Sequence, residues 1–165
     1  MKRIESVEHI WSLICSNSTI DSETNNLSLF NVIERITVKV PAAALDKAKA
    51  DKSKGLLTHV GFEVVSRFRK KTSNKTAAFD IRLRLLSPES RILMTSNEQR
   101  VAMREGIRNM RIRNRFNVLP VGKSGDYVVI VDAKEVEETG YSEVGRIPLE
   151  IVVNSGEKIN NTKAP

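Results

Sequence analysis

The alternation of apolar and charged residues between Ala77 and Leu86 constrains the fold of this chain more than any other feature. Apolar side chains occupy every second position, at Phe79, Ile81, Leu83 and Leu85, with charged side chains between most of them. A period of two is typical of a strand with one buried face. The turn formers of residues 87–90 and a second apolar run at 92–94 follow at once. The pattern therefore predicts a hairpin over Ala77–Ser96, in a sheet with one wet and one dry face.

Other apolar runs predict further strands at short spacing. They cover His9–Ser18, Leu27–Val40, Gly61–Lys71, Met110–Leu119, Tyr127–Val131 and Ile147–Val153. The apolar phase of Leu27–Val40 slips by one residue, which indicates a β-bulge, the alternative being a short helical turn over residues 30–34. Residues 98–108 lack a clear period and are interpreted as a loop with at most one helical turn. Residues 120–125 are interpreted as a hairpin turn, because Gly122-Lys123-Ser124 lacks the earlier glycine of a phosphate-binding loop.

About eight strands without long intervening helices predict an all-β protein. We expect a single β-sandwich of mostly antiparallel strands with Greek-key character. The alanine- and lysine-rich residues 42–54 predict one short surface helix or a linker. Residues 1–153 would form the domain, and residues 154–165, which have few apolar side chains, would form a flexible C-terminal tail.

Four short segments give the chain a resemblance to a group of small bacterial β-sandwich proteins of uncharacterised function. The segments are Asp21 in the first turn, Leu27-Ser28-Leu29-Phe30, Gly125-Asp126-Tyr127 and Pro148-Leu149-Glu150-Ile151. Together they span most of residues 8–153. The resemblance implies a fold and no activity, so no functional residue follows from it.

The composition limits the partners and the compartment. Acidic residues interrupt the first apolar residues and no long apolar segment is present, so we expect a cytoplasmic protein without a secretory signal or a membrane span. The single cysteine, Cys15, permits no internal disulfide, and the isolated His9 and His59 suggest no metal site. No cofactor is expected. The net charge of +7 favours an anionic partner.

Arginines provide the only arrangement that suggests a site. Seven of them occupy the polar phase of three predicted strands: Arg67, Arg69, Arg82, Arg84, Arg111, Arg113 and Arg115. If these strands share one sheet, the seven guanidinium groups form a basic face suited to phosphate or carboxylate groups. The alternative is a solvated face whose arginine tips pair with nearby acids such as Glu63, Asp80 or Glu98.

The function expected from these features is that of a non-catalytic binding or assembly module for a protein or polyanion partner. One alternative is a nucleic-acid-binding protein that uses the arginine face. A second alternative is a small enzyme whose site is assembled from scattered residues, although no catalytic motif is visible. Pro148 cannot donate a ladder hydrogen bond, which places the start of its strand at a sheet edge and permits a homodimer there.

Overall fold

Ten strands make up the part of the chain that the computed structural model describes, which comprises residues 4–41, 44, 56–72 and 75–156. In chain order they are β1 (Val7–Ile20), β2 (Leu27–Val32), β3 (Arg35–Pro41), β4 (Leu56–Lys70), β5 (Ala77–Leu86), β6 (Ile92–Thr95), β7 (Gln99–Met103), β8 (Asn109–Val121), β9 (Gly125–Glu135) and β10 (Ser142–Gly156). The predicted all-β class is confirmed. The predicted helix over residues 42–54 lies outside the described residues, apart from Ala44.

The strands form two packed sheets. Sheet A has the strand order β2-β1-β4-β8, and sheet B has the order β3-β10-β9-β5-β6, with β7 also paired to β5. All neighbouring strands are antiparallel except β3 and β10, which run parallel, and sheet B is curled into a half-barrel. Within the described ranges, no helix is long and apolar enough to cross a membrane.

The predicted hairpin over Ala77–Ser96 is confirmed. Strands β5 and β6 pair antiparallel, with Arg84 opposite Thr95 and Leu85 opposite Met94. The alternating apolar residues of β5 are all buried, at Phe79, Ile81, Leu83 and Leu85. They pack on sheet A, and the Phe79 ring lies 4.8 Å from the Phe68 ring of β4. Local alternation therefore identified the face of β5 that joins the two sheets.

The interruption of the apolar pattern in Leu27–Val40 has a different cause from the predicted bulge or helical turn. The chain forms β2 in sheet A, leaves that sheet at residues 33–34, and forms β3 in sheet B. Backbone hydrogen bonds fix the crossing at both ends, from Ile33 N to Ile14 O and from Glu150 N to Glu34 O. The slip in phase therefore records a change of sheet. In β3 Ile36, Val38 and Val40 are buried, whereas in β2 the alternate residues Leu27 and Leu29 are only half-buried.

Three other expectations differ from the structure in detail. Residues 99–103 form β7 rather than a loop, because Val101 and Met103 are buried where β7 pairs with β5. The turn after β8 is not a hairpin, since it leads from sheet A into sheet B. Strand β10 continues to Gly156 along β3, beyond the predicted end of the domain. Residues 157–165 of the predicted tail lie outside the described residues.

Pro148 lies in the part of β10 that precedes its pairing with β3, which begins where Glu150 faces Arg35. On the other side, Pro148 faces Val128 of β9. At Pro148, the side of β10 that later pairs with β3 has no partner in β3. This agrees with the chemistry of proline, which has no N–H to donate to a neighbouring strand. A homodimer through this edge stays a prediction.

Candidate functional site

The strand order divides the seven arginines between the two sheets. Five lie in sheet A, on β4 and β8, namely Arg67, Arg69, Arg111, Arg113 and Arg115. Arg82 and Arg84 lie in sheet B, on β5. The condition for a single basic face, that the strands of all seven arginines share one sheet, is therefore not met. The reason is that β5 pairs with β9, β6 and β7 instead of with β4, its neighbour in sequence.

The two sheet B arginines are engaged by a buried carboxylate. Arg84 donates to Asp132 through Nε at 2.5 Å and through Nη2 at 2.8 Å, and Arg82 Nε donates to Asp132 at 3.2 Å. The Asp132 side chain is only 2% exposed. Its carboxylate raises the pKa of Arg84, chiefly through their hydrogen bond. These guanidiniums already balance an internal charge and are poorly placed to attract an external anion.

A second polar network covers the neighbouring part of sheet B. Arg100 Nε donates to the buried Asp80 at 2.9 Å, and Lys134 Nζ lies 3.6 Å from the same carboxylate. The hydrogen bond from Arg100 is the main cause of the lowered pKa of Asp80. Tyr141 lies against this network, with Arg82 Cζ 3.9 Å from its ring centre and its hydroxyl donating to Glu98. Positive and negative side chains thus neutralise one another on this surface.

Two of the sheet A arginines form a cross-strand row. Arg67 of β4 faces Arg111 of β8, and one step further along the outer face Val65 faces Arg113. Like charges in directly opposed positions destabilise a sheet unless something screens them. The row formed by Arg67 and Arg111 therefore concentrates positive charge on the outer face of sheet A.

An open cleft of about 510 Å³ lies at this row. Three arginines contribute to its walls, and no acidic residue does. The lining residues are Ile20, Asn25, Arg67, Gly106, Ile107, Arg108, Asn109, Met110 and Arg111. Strands β4 and β8 supply the floor, the β1–β2 turn supplies one wall, and the loop between β7 and β8 supplies the other.

Hydrogen bonds of Asp21 fix the wall formed by the β1–β2 turn. Its carboxylate accepts from the backbone N–H groups of Glu23 and Thr24 and from the Thr24 hydroxyl. These bonds lower the pKa of Asp21. Asn25, which follows, adopts the left-handed region with φ of 54°, a conformation that asparagine tolerates. The turn thus places the Asn25 side chain and carbonyl over sheet A.

The buried Lys70 holds the opposite wall. Its side chain is nearly enclosed, and its Nζ donates to Arg104 O at 2.9 Å while its backbone N–H donates to Arg108 O. Ile107 N donates to Arg104 O at 3.1 Å. Gly106 has φ of 81°, a conformation that L residues with a Cβ seldom adopt. The loop is therefore fixed at both ends and directs Ile107 and Arg108 into the cleft.

Amide oxygens orient two of the three cleft arginines. Arg111 Nη1 donates to Asn25 O at 2.7 Å and to Asn25 Oδ1 at 3.2 Å, and Arg67 Nη2 donates to Asn109 Oδ1 at 3.3 Å. Arg67 Nε is buried and has no hydrogen-bond partner within the described part of the chain. Over the same residues, no carboxylate forms an ion pair with Arg67, Arg108 or Arg111. Neutral acceptors position Arg67 and Arg111 without neutralising them.

The remaining sheet A arginines are placed differently. Arg69 pairs with Glu8, with Nη2 2.6 Å from Oε2. Arg113 Nη1 donates to Ser18 O at 3.0 Å, and Arg115 faces Glu63 across the strands. Ser18 donates to Glu63 at 2.5 Å. Arg113 and Arg115 thus have no ion-paired carboxylate among the described residues, and the cleft differs from them in gathering three such arginines around a recess.

Sequence reasoning placed Arg67 and Arg111 in the candidate site and missed Arg108, Asn25 and Asn109. Arg108 lies in a segment without periodicity, and its contribution depends on the loop that Lys70 holds. The run of turn formers at residues 21–26 was a signal for an ordered turn, but its position over sheet A depends on contacts with β8, 86 residues away in sequence.

One histidine lies in a hydrogen-bonded chain of polar side chains elsewhere. His9 Nε2 lies 2.7 Å from Ser12 Oγ, which donates to the buried Ser66 Oγ at 2.7 Å. Burial lowers the pKa of His9, whose ring packs against Phe68 and beside Gly145. The cleft is lined by other residues. Among the described residues, no group of three or more His, Cys, Asp or Glu side chains could hold a metal ion.

In comparisons with known proteins, the chain matches no protein-family model and no curated protein.

Proposed function

We propose that this chain is a non-catalytic binding module, built as a β-sandwich, that recognises an anionic partner through the cleft at Arg67, Arg108 and Arg111. The observation that carries the proposal is the pairing state of the arginines. The sheet B arginines are balanced by buried carboxylates, whereas the three cleft arginines have none among the described residues. A guanidinium held by a neutral amide keeps its full charge for a ligand.

The walls of the cleft support binding because they are fixed before a ligand arrives. Asp21 secures one wall and Lys70 secures the other. A preformed site spends less of its interaction energy on ordering loops and side chains when the partner binds. The volume of about 510 Å³ is also within the range typical of ligand sites in proteins.

Removing the three cleft charges should abolish most binding to a polyanion. The probe is a fluorescein-labelled 12-nucleotide oligothymidylate, whose anisotropy is measured over a series of NaCl concentrations. We expect wild-type protein to bind it at low salt. The Arg67→Gln/Arg108→Gln/Arg111→Gln variant should show a slope of log affinity against log salt that is shallower by about two, since each phosphate contact on a single strand contributes about 0.7.

The matched control removes the same three charges from exposed arginines outside the cleft. Arg35, Arg91 and Arg146 suit this purpose because each side chain is more than half exposed. Their triple glutamine variant has the same net charge as the cleft variant and should retain most of the wild-type slope. Equal losses in both triple variants, or binding of neither oligothymidylate nor inorganic phosphate by wild-type protein at low salt, would refute the proposed function.

A further inference from the structure

The cleft combines cations with exposed apolar side chains. Ile20 and Ile107 contribute to its walls and are 40% and 38% exposed. Met110 is the third apolar lining residue and is partly buried. Isoleucines that remain this exposed beside three guanidiniums provide apolar contact area for the body of a ligand whose charged end binds the arginines.

The charge of the cleft suits a dianion better than a single carboxylate. Three guanidiniums line it, and the amides of Asn25 and Asn109 fix two of them in orientation. A phosphate monoester carries close to two negative charges at pH 7 and presents three strong acceptor oxygens. Arginine donors match this geometry with paired, charge-assisted hydrogen bonds.

The surroundings of the cleft favour a discrete ligand over a long polymer. Beyond Arg67 along β4, Arg69 is already paired with Glu8. None of the lining residues is aromatic, so the cleft lacks the stacking platforms on which nucleic-acid bases usually lie. The bases of a nucleic acid would therefore find no aromatic platform in the cleft, even though the exposed Arg113 and Arg115 extend the positive charge along β8.

We infer that the ligand of this cleft is a phosphate monoester carried on an apolar stem, with the phosphate among Arg67, Arg108 and Arg111 and the stem against Ile20 and Ile107. This inference rests on the proposed function and narrows it to one ligand chemistry. A phosphorylated aromatic side chain of a protein and a free aryl or alkyl phosphate share that chemistry.

Titration calorimetry with three small probes at equal ionic strength and pH 7.5 tests the inference. The probes are phenyl phosphate, inorganic phosphate and phenol. We expect phenyl phosphate to bind about tenfold more tightly than inorganic phosphate, since burial of part of a ring is worth about one factor of ten. Phenol alone should not bind detectably. If a phosphotyrosine peptide binds more tightly than phenyl phosphate, the natural ligand is a phosphorylated side chain of a protein. If the peptide binds more weakly, the natural ligand is a free phosphate ester.

Two pairs of single variants assign the effect to the cleft. Arg108→Gln should weaken the binding of phenyl phosphate and of inorganic phosphate about tenfold each, whereas Arg146→Gln should leave both affinities unchanged. Ile107→Ser should remove most of the advantage of phenyl phosphate without changing the affinity for inorganic phosphate. Its control is Ile92→Ser, which alters a 57%-exposed isoleucine on β6. Unchanged unfolding midpoints would show that each variant is folded.

The outcomes separate this inference from the proposed function. Equal affinity for phenyl phosphate and inorganic phosphate would overturn the inference that the ligand has an apolar stem bound against Ile20 and Ile107. Absence of binding by either phosphate, with oligothymidylate binding still dependent on the cleft arginines, would overturn the inference and leave the proposed function intact. Loss of oligothymidylate binding as well would mean that the proposed function fails.

Discussion

Replacing Leu83 by alanine is expected to lower the free energy of unfolding by about 2–5 kcal/mol, the usual range for a buried leucine. Leu83 is 2% exposed, at the centre of the hairpin strand β5. Between Phe79 and Leu85 it contributes to the cluster that packs the two sheets together. Truncation removes apolar contacts and leaves a cavity that closely packed neighbours can fill only in part. Urea unfolding followed by tryptophan fluorescence measures the change.

The matched control is Leu57→Ala on β4, because Leu57 is 66% exposed. The same chemical change at this position should cost less than about 0.5 kcal/mol, as changes on exposed surface generally do. Similar losses for the two variants would show that the assignment of faces in β5 is wrong.

Replacing Arg84 by leucine should cost about 3 kcal/mol. The change leaves the buried Asp132 with Arg82 alone, whose Nε lies 3.2 Å away. An uncompensated buried charge is costly because it has lost its hydration without gaining a strong partner. Arg82→Ala should cost less than about 1 kcal/mol, since the bidentate Arg84 pair remains. Thermal unfolding of both single variants provides the comparison.

The double variant Arg84→Leu/Asp132→Leu separates the cost of an unpaired charge from the value of the pair. Removing both charges should recover most of the stability lost in Arg84→Leu, because replacing a buried ion pair by apolar groups is often close to neutral. A double variant that is less stable than Arg84→Leu would contradict this view of the sheet B network.

The parts of the fold that sequence reasoning predicted correctly are those with a local signal. In β5 and β6, alternation and a turn of serine and proline lie within 20 residues of sequence. The hairpin could therefore be predicted without knowledge of the rest of the chain. Strand β8 follows the same rule, since its apolar residues alternate and the predicted Met110–Leu119 lies close to the observed bounds. For β9, the continuous apolar run Tyr127–Val131 predicted only the middle of the strand.

The errors arose where distant pairing decides the structure. The slip near Ile33 is equally consistent with a bulge and with a change of sheet, and only the partners Ile14 and Glu150 distinguish them. Strand β7 has a weak pattern because it is five residues long and is stabilised by β5. Propensity for strands depends strongly on such tertiary context.

The candidate site was predictable only in part for the same reason. Alternation placed Arg67 and Arg111 on outward faces, and their pairing in adjacent strands brings them together. The same argument wrongly grouped Arg82 and Arg84 with them, because sequence neighbours β4 and β5 lie in different sheets. Alternation does not report strand order, and it does not show that a carboxylate such as Asp132 is already bound to an arginine.

The central claim is that the cleft at Arg67, Arg108 and Arg111 is the anion-binding site. The most direct test is to locate a bound anion in a crystal. Tungstate is a suitable probe because it is a tetrahedral dianion whose heavy atom gives a strong anomalous signal in a crystal. We expect the dominant anomalous peak within hydrogen-bond distance of these three guanidiniums, and loss of that peak in the cleft triple variant. A dominant peak beside Arg113, Arg115 or the sheet B arginines, with the cleft empty, would contradict the central claim.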